Sequence, residues 1–89
     1  MKITEINFRM ASPDEPLLIA FASCVIDDML YLNNIAIRKK YDGDIYLNFP
    51  RYTTRSGNEF PYYKPINHQM YSKIKSALLD ALNIEGLSL

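Results

Sequence analysis

The stretch that decides the fold is Leu-Leu-Ile-Ala-Phe-Ala-Ser-Cys-Val-Ile-Asp-Asp-Met-Leu-Tyr-Leu-Asn-Asn-Ile-Ala-Ile, residues 17–37. Residues 17–26 are apolar nearly throughout, which predicts a strand covered on both faces, at the centre of a sheet or in a subunit interface. Asp27 and Asp28 interrupt the apolar run, and residues 29–37 resume it. The two aspartates therefore predict a tight turn between two antiparallel strands.

Further strands are predicted on both sides of this pair. Residues 2–10 alternate apolar and polar side chains, which is typical of a half-buried strand. After a turn at Asp42-Gly43, residues 44–49 alternate in the same way until Pro50 ends the strand. Residues 59–63 contain Pro61, so we expect them to form a short fifth strand at the edge of the sheet.

One helix is predicted at the C-terminal end, over residues 67–83. Asn67 is a favourable N-cap, and Ile66 before it is expected to pack on Tyr71. Apolar residues recur at helical spacing and predict a face that packs on the sheet: Met70, Ile74, Ala77, Leu78, Ala81 and Leu82. Gly86 is expected just beyond the helix end. The predicted fold is α+β, an antiparallel sheet of four to five strands with one packed helix.

The length of 89 residues indicates a single domain over residues 1–89. A chain this small has a marginal core of its own, and the apolar run at 17–26 offers more surface than one helix covers easily. We therefore expect a homodimer, with the strand edge that forms it left open.

The charges are unevenly distributed although the formal net charge is zero. Residues 36–75 hold eight lysines and arginines against three carboxylates, and the acidic residues concentrate before and after this segment. Such a chain can meet a polyanion with one face while remaining neutral overall.

Several other classes of protein are disfavoured. Cys24 is the only cysteine, so no intrachain disulfide forms, and a reducing cytoplasm fits best. The apolar run is too short to span a bilayer, and the first residues lack the pattern of a signal peptide, so we expect a soluble, unprocessed protein.

No cofactor, metal site or catalytic residue is predicted. Cys24 and His68 are the only soft metal ligands, and zinc needs three or four. The chain has no pattern of nucleophile and base and no glycine-rich phosphate loop. Asp27-Asp28 fits a turn better than a catalytic carboxylate pair. Binding is therefore favoured over catalysis.

A series of short motifs points to a known family: Ile3-Thr4-Glu5-Ile6, the segment 20–27, Asn34-Ile35, Pro50, Gly57-Asn58-Glu59-Phe60, Pro65-Ile66-Asn67 and Lys73-Ile74. In this order and spacing they resemble the SpoVG family, from Lys2 to about Leu82. The resemblance implies a small dimeric regulator, not known as an enzyme, that binds DNA and RNA site-selectively. Relatives are tied to sporulation, septation and gene regulation. Family members usually carry Lys-Arg where this chain has Tyr52-Thr53.

The candidate nucleic-acid site is the segment between the fourth and fifth strands. Arg51 and Arg55 can hold phosphates, and Tyr52 can stack on a base. Other basic residues are candidates for the same surface: Arg38, Lys39, Lys40, Lys64 and Lys73.

Two other interpretations stay open. The arginines of this segment can instead pair with Asp42, Asp44 or Glu59 on a solvated loop. The protein can also be an interaction module without nucleic-acid contact, in which the second or fifth strand pairs with a partner's sheet. The tyrosines of the basic half fit core or interface packing better than a base-stacking sheet: Tyr41, Tyr46, Tyr62, Tyr63 and Tyr71.

Overall fold

The computed structural model describes residues 1–84, which form an α+β fold. The elements in chain order are β1 Ile3–Met10, β2 Leu18–Ile26, β3 Leu30–Lys39, β4 Ile45–Asn48, β5 Arg51–Thr53, β6 Glu59–Pro61 and α1 His68–Ile84. Strands β1 to β4 form one sheet in the order β1-β2-β3-β4, and all neighbours are antiparallel. Strands β5 and β6 form a separate antiparallel hairpin. The expected position of Gly86 lies outside the described residues.

The predicted turn between β2 and β3 is confirmed. Asp27 and Asp28 have φ angles of 53° and 56°, and the Met29 amide donates a hydrogen bond of 3.0 Å to the Ile26 carbonyl. Positive φ at both central residues defines the two-residue turn whose twist matches that of the flanking strands. The turn at Gly43, with φ of 97°, is also as predicted.

The core lies between the main sheet and α1. Alternate residues of β2, from Leu18 to Ile26, are buried, and the last three of them join a cluster with Ile74 and Leu78 of the helix. The predicted apolar face of α1 is therefore confirmed. The other face of β2, which includes Phe21, is only half-buried. The expectation that this strand is covered on both faces thus holds only on the helix side, because the single helix covers one face. We call the opposite surface the open face.

The predicted fifth strand has a different partner from the one expected. It covers Glu59–Pro61 and pairs with residues 51–53, which the sequence indicated as loop, rather than joining the edge of the main sheet. The cause is a local turn. Gly57, with φ of 87°, donates to the Thr54 carbonyl at 3.0 Å, and the Thr54 amide donates to the Asn58 carbonyl at 2.8 Å. The chain therefore folds back on itself within a few residues.

Two tyrosines attach the β5–β6 hairpin and the helix to the main sheet. The Tyr63 hydroxyl donates to the Asn33 carbonyl of β3 at 2.5 Å, and its ring packs edge-on against Phe49 with centroids 5.7 Å apart. The Tyr71 hydroxyl of α1 accepts the Leu47 amide of β4 at 2.8 Å. The packing role expected for these two tyrosines is confirmed.

The helix begins as predicted. The Asn67 side chain accepts a hydrogen bond from the Met70 amide at 2.8 Å, so it caps the helix. The expected contact between Ile66 and Tyr71 was wrong, since Ile66 is 87% exposed. Lys73 and Asp80 lie on the exposed side of the helix.

Candidate nucleic-acid interface

The β5–β6 hairpin carries an exposed aromatic cluster on one face. Tyr52 lies opposite Phe60 in the ladder, with ring centroids 5.8 Å apart, and Tyr62 lies 5.1 Å from Tyr52. The three side chains are 43%, 45% and 69% exposed. Contiguous exposed apolar surface of this kind marks a binding surface more often than a scattered single side chain does. We call these three residues the aromatic cluster.

Arg51 lies on the other face of the hairpin, because successive strand residues point in opposite directions. Its guanidinium lies 3.8 Å from the Glu59 carboxylate, and both side chains are about 60% exposed. An ion pair this exposed contributes little stability, so Arg51 can leave Glu59 and bind another anion. The structure therefore separates Arg51 from Tyr52, which the sequence had placed together on one loop.

Arg55 lies in the exposed turn of the hairpin, which a small hydroxyl network holds. The Thr54 and Ser56 hydroxyls are 2.9 Å apart, and the Thr54 hydroxyl also accepts the Asn58 amide at 3.2 Å. The turn thus presents Arg55 to solvent on an ordered support.

The open face of the main sheet presents basic residues stacked on aromatic rings. In the ladder, Phe21 of β2 lies between Arg9 of β1 and Ala36 of β3. The Arg9 guanidinium carbon is 4.7 Å from the Phe21 ring centroid. At the end of β3, the Lys40 ammonium is 5.9 Å from the Tyr46 ring. Both distances fit cation–π contacts.

A groove of about 410 Å³ lies where the open face meets the hairpin. Arg38 and Arg51 both line it, together with Phe21, Asn48 and Glu59. The Nε atom of Arg38 is buried and has no hydrogen-bond partner among the described residues. A buried donor without a partner is costly, and the terminal N–H groups of the same guanidinium can bind an anion in the groove through charge-assisted hydrogen bonds.

The remaining predicted residues lie at different distances from this groove. Lys64 lines a neighbouring depression that also includes Arg51. Lys39 pairs with Ile45, which packs on the core, so Lys39 lies on the helix side of the sheet. Lys73 lies beside Met1 and Ile3 at the helix surface. The structure therefore gathers Arg38, Lys40, Arg51, Arg55 and Lys64 around the hairpin and the open face, and places Lys39 and Lys73 elsewhere.

Sequence reasoning missed Arg9 and Phe21. Arg9 counted as an ordinary polar position of an alternating strand, and Phe21 as one residue of an apolar run. The only sequence signal was that Arg9 and Phe21 each occupy one of the alternating positions of their own strand. Their contact depends on the register between β1 and β2, which no short turn fixes.

Burial perturbs two titratable groups. It raises the pKa of the Cys24 thiol, which keeps the thiol protonated and unreactive. It also raises the pKa of Tyr63 to about 12. Both groups support the fold and do not belong to the basic surface.

Among residues 1–84, no three histidine, cysteine or acidic side chains converge as metal ligands would. Within the same residues, no helix has the length and apolarity needed to cross a membrane.

Together, the elements define a small α+β domain whose hairpin and open face expose basic and aromatic side chains. The SpoVG family model matches residues 1–83, and the chain belongs to the SpoVG family. Membership of this family indicates a regulator related to sporulation or septation. No curated protein matches the chain.

Proposed function

We propose that this protein is a cytoplasmic, homodimeric regulator that binds DNA or RNA site-selectively. The observation that carries the proposal is the groove in which Arg38 of the main sheet and Arg51 of the hairpin come together. These arginines lie on different strands, and Glu59 is the one acidic residue among those that line the groove. The aromatic cluster on the other face of the same hairpin adds a surface on which bases can stack.

Each group has a distinct role in the proposal. Arg38 and Arg51 hold backbone phosphates, since guanidinium groups match phosphate geometry. Arg55, Lys40 and Lys64 add phosphate contacts around them and make affinity sensitive to salt through counterion release. Tyr52 stands where the family usually carries a lysine, so here stacking replaces a phosphate contact.

Electrophoretic mobility shift with random DNA and RNA pools, at two salt concentrations, tests the proposal. Replacing Arg51 and Arg55 together by alanine should weaken binding and flatten the salt slope by about one to two units, because each lost phosphate contact removes about one released counterion. Thermal stability should barely change, since both side chains are exposed.

The matched control is Lys2→Ala, which removes an exposed cation that pairs with Asp28 at the β2–β3 turn. It should leave binding unchanged. If the double arginine variant binds as tightly as the parent at both salt concentrations, the hairpin is not the site.

The proposed homodimer fits one edge of the main sheet better than the other. At the β4 edge, the Leu47 amide is already bonded to the Tyr71 hydroxyl. The β1 edge has no neighbouring strand among the described residues, so we place the dimer contact there. Sedimentation at micromolar concentration should show a dimer. A monomer under those conditions contradicts this part of the proposal.

The alternative is a protein-interaction module. The exposed aromatic cluster favours it, because tyrosine and phenylalanine are enriched at the cores of protein interfaces. Strand β2 cannot recruit a partner by sheet pairing, as the sequence had suggested, since β1 and β3 occupy both of its edges. Absence of any mobility shift with DNA or RNA would favour this alternative.

A further inference from the structure

We propose that the nucleic acid bound by this protein is single-stranded and that it crosses the open face of the sheet. One base would stack on the Arg9–Phe21 pair, and adjacent phosphates would bind Arg38 and Arg51. This inference rests on the proposed function. It specifies that the ligand is single-stranded, and it adds a contact, the Arg9–Phe21 pair, that lies outside the basic segment 36–75.

The Arg9–Phe21 pair is a preformed stacking platform. The guanidinium lies 4.7 Å from the ring centroid, Phe21 is half-buried in the sheet, and Arg9 is exposed above it. Unstacked bases bind on arginine planes as well as on aromatic rings. Because the Arg9 side chain already rests on Phe21, a base that stacks there orders few additional bonds.

The surroundings of the pair suit a nucleotide. Asn48 lies two strands from Phe21 in the same row of the ladder, and Asn34 lines the same groove. Side-chain amides both donate and accept, as the edges of bases require. Arg38 lines this groove, where a phosphate oxygen can accept from the terminal N–H groups of its guanidinium.

The geometry favours a single strand over a duplex. In a duplex the faces of the bases are hidden in the stack, so a base can reach the Phe21 platform or the aromatic cluster only when it is unpaired and turned outward. Arg51 lines the groove from the hairpin side and Arg38 from the sheet side. Phe21 lines the same groove as the two arginines, whereas the aromatic cluster lies on the other face of the hairpin from Arg51.

A second copy of the chain fits this face less well. In a two-fold interface the same patch faces itself, so the Arg9 and Arg38 side chains of both copies would meet. The cross-strand partners that share the face with Phe21 and Arg38 are Arg9, Ala36, Asn48 and Tyr46, and none is acidic. Glu59, the acidic residue that lines the groove, lies 3.8 Å from Arg51, so the like charges of Arg9 and Arg38 oppose such a contact.

Fluorescence anisotropy with a labelled mixed-sequence single strand, and with the same strand annealed to its complement, tests the inference. The parent should bind the single strand more tightly than the duplex. Arg9→Met and Arg38→Met should each weaken single-strand binding roughly tenfold, as expected for a lost stacking or phosphate contact. Lys2→Met, which removes a cation at the opposite end of β1, is the matched control and should bind within about twofold of the parent.

The outcomes separate this inference from the proposed function. If the parent binds neither form, the proposed function fails and the inference fails with it. If Arg51→Ala with Arg55→Ala weakens binding while Arg9→Met and Arg38→Met bind like the parent, nucleic-acid binding stands and the open face is not its surface. If the methionine variants alter the sedimentation of the protein but bind the single strand like the parent, the open face is a contact between two copies of the chain. That result overturns the inference.

A crosslinking experiment on the unaltered protein avoids any question of variant folding. A single strand containing photoreactive thiouridine is bound and irradiated, and the attached peptides are identified by mass spectrometry. Attachment to peptides of β1 and β2 supports the inference. Attachment confined to the hairpin overturns it.

Discussion

Replacement of Leu78 by alanine should destabilise the protein strongly. The Leu78 side chain is fully buried and packs in the cluster between α1 and the sheet. Alanine is the better helix former, so the whole cost comes from lost packing and the cavity that remains. For a leucine in such a position the expected loss is about 2–4 kcal/mol. In a domain of this size, that corresponds to a decrease in melting temperature of roughly 10–25 °C.

Urea unfolding followed by far-ultraviolet circular dichroism measures this loss. The midpoint should fall while the dependence on urea stays the same, since the surface exposed on unfolding hardly changes. Lys73→Ala is the control on the exposed side of the same helix, and it should shift stability by no more than about 0.5 kcal/mol. Protein concentration must be equal throughout, because the proposed dimerisation would contribute to apparent stability. Small, equal shifts in both variants would refute the assigned helix face.

Three further changes test other parts of the fold. Burial raises the pKa of Tyr63 from 10.0 to about 12, so the folded state holds this proton more tightly than the unfolded state. The stabilisation that this proton provides is complete below pH 10 and is lost as the pH rises to about 12. Unfolding titrations at alkaline pH should therefore show a smaller fall in unfolding free energy for Tyr63→Phe than for the parent. Asp28→Gly should raise the unfolding free energy by about 0.5–1 kcal/mol, because φ of 56° favours glycine; a lower stability would contradict this. Asn67→Ala should cost about 1 kcal/mol in urea unfolding, since the cap to Met70 is lost, and Asn67→Ser should recover most of it.

Sequence reasoning found the elements whose signals are local. The hairpin of β2 and β3 follows from an apolar run interrupted by Asp27-Asp28, and α1 follows from a cap and a stripe of apolar residues. In both cases a few neighbouring residues determine the backbone, and the core packs around the result. The helix side of the sheet was therefore predictable.

The β5–β6 hairpin was missed in part because its strands are too short to show a period. Each has three residues, and residues 51–53 contain an arginine and a threonine that suit a loop equally well. Its pairing is set by the turn around Gly57 and by tertiary attachment through Tyr63. This attachment connects residues 30 positions apart, which a local pattern does not record.

The open face was missed because two of the three register shifts in the main sheet set the positions of its side chains. Between Thr4 and Asn7, β1 has one residue more than β2 opposite it, and between Leu32 and Ile35, β3 has one residue more than β2. Each bulge shifts the side chains that follow relative to the neighbouring strand. Glu5 and Asn34, with φ of 50° and 55°, mark the two positions. No sequence pattern in this chain indicated them, so the contact of Arg9 with Phe21 could not be predicted.

The bulge in β3 also connects the fold to the proposed binding surface. Asn33 lies within it, and its carbonyl accepts the Tyr63 hydroxyl that fixes the end of the β5–β6 hairpin. Because this attachment places the hairpin beside the open face, Arg51 comes to line the same groove as Arg38. A change that straightened β3 at Asn34 would therefore act on the binding surface without touching a basic residue. The arginine groove thus depends on backbone geometry as much as on charge, which explains why the charge pattern alone did not reveal which basic residues lie together.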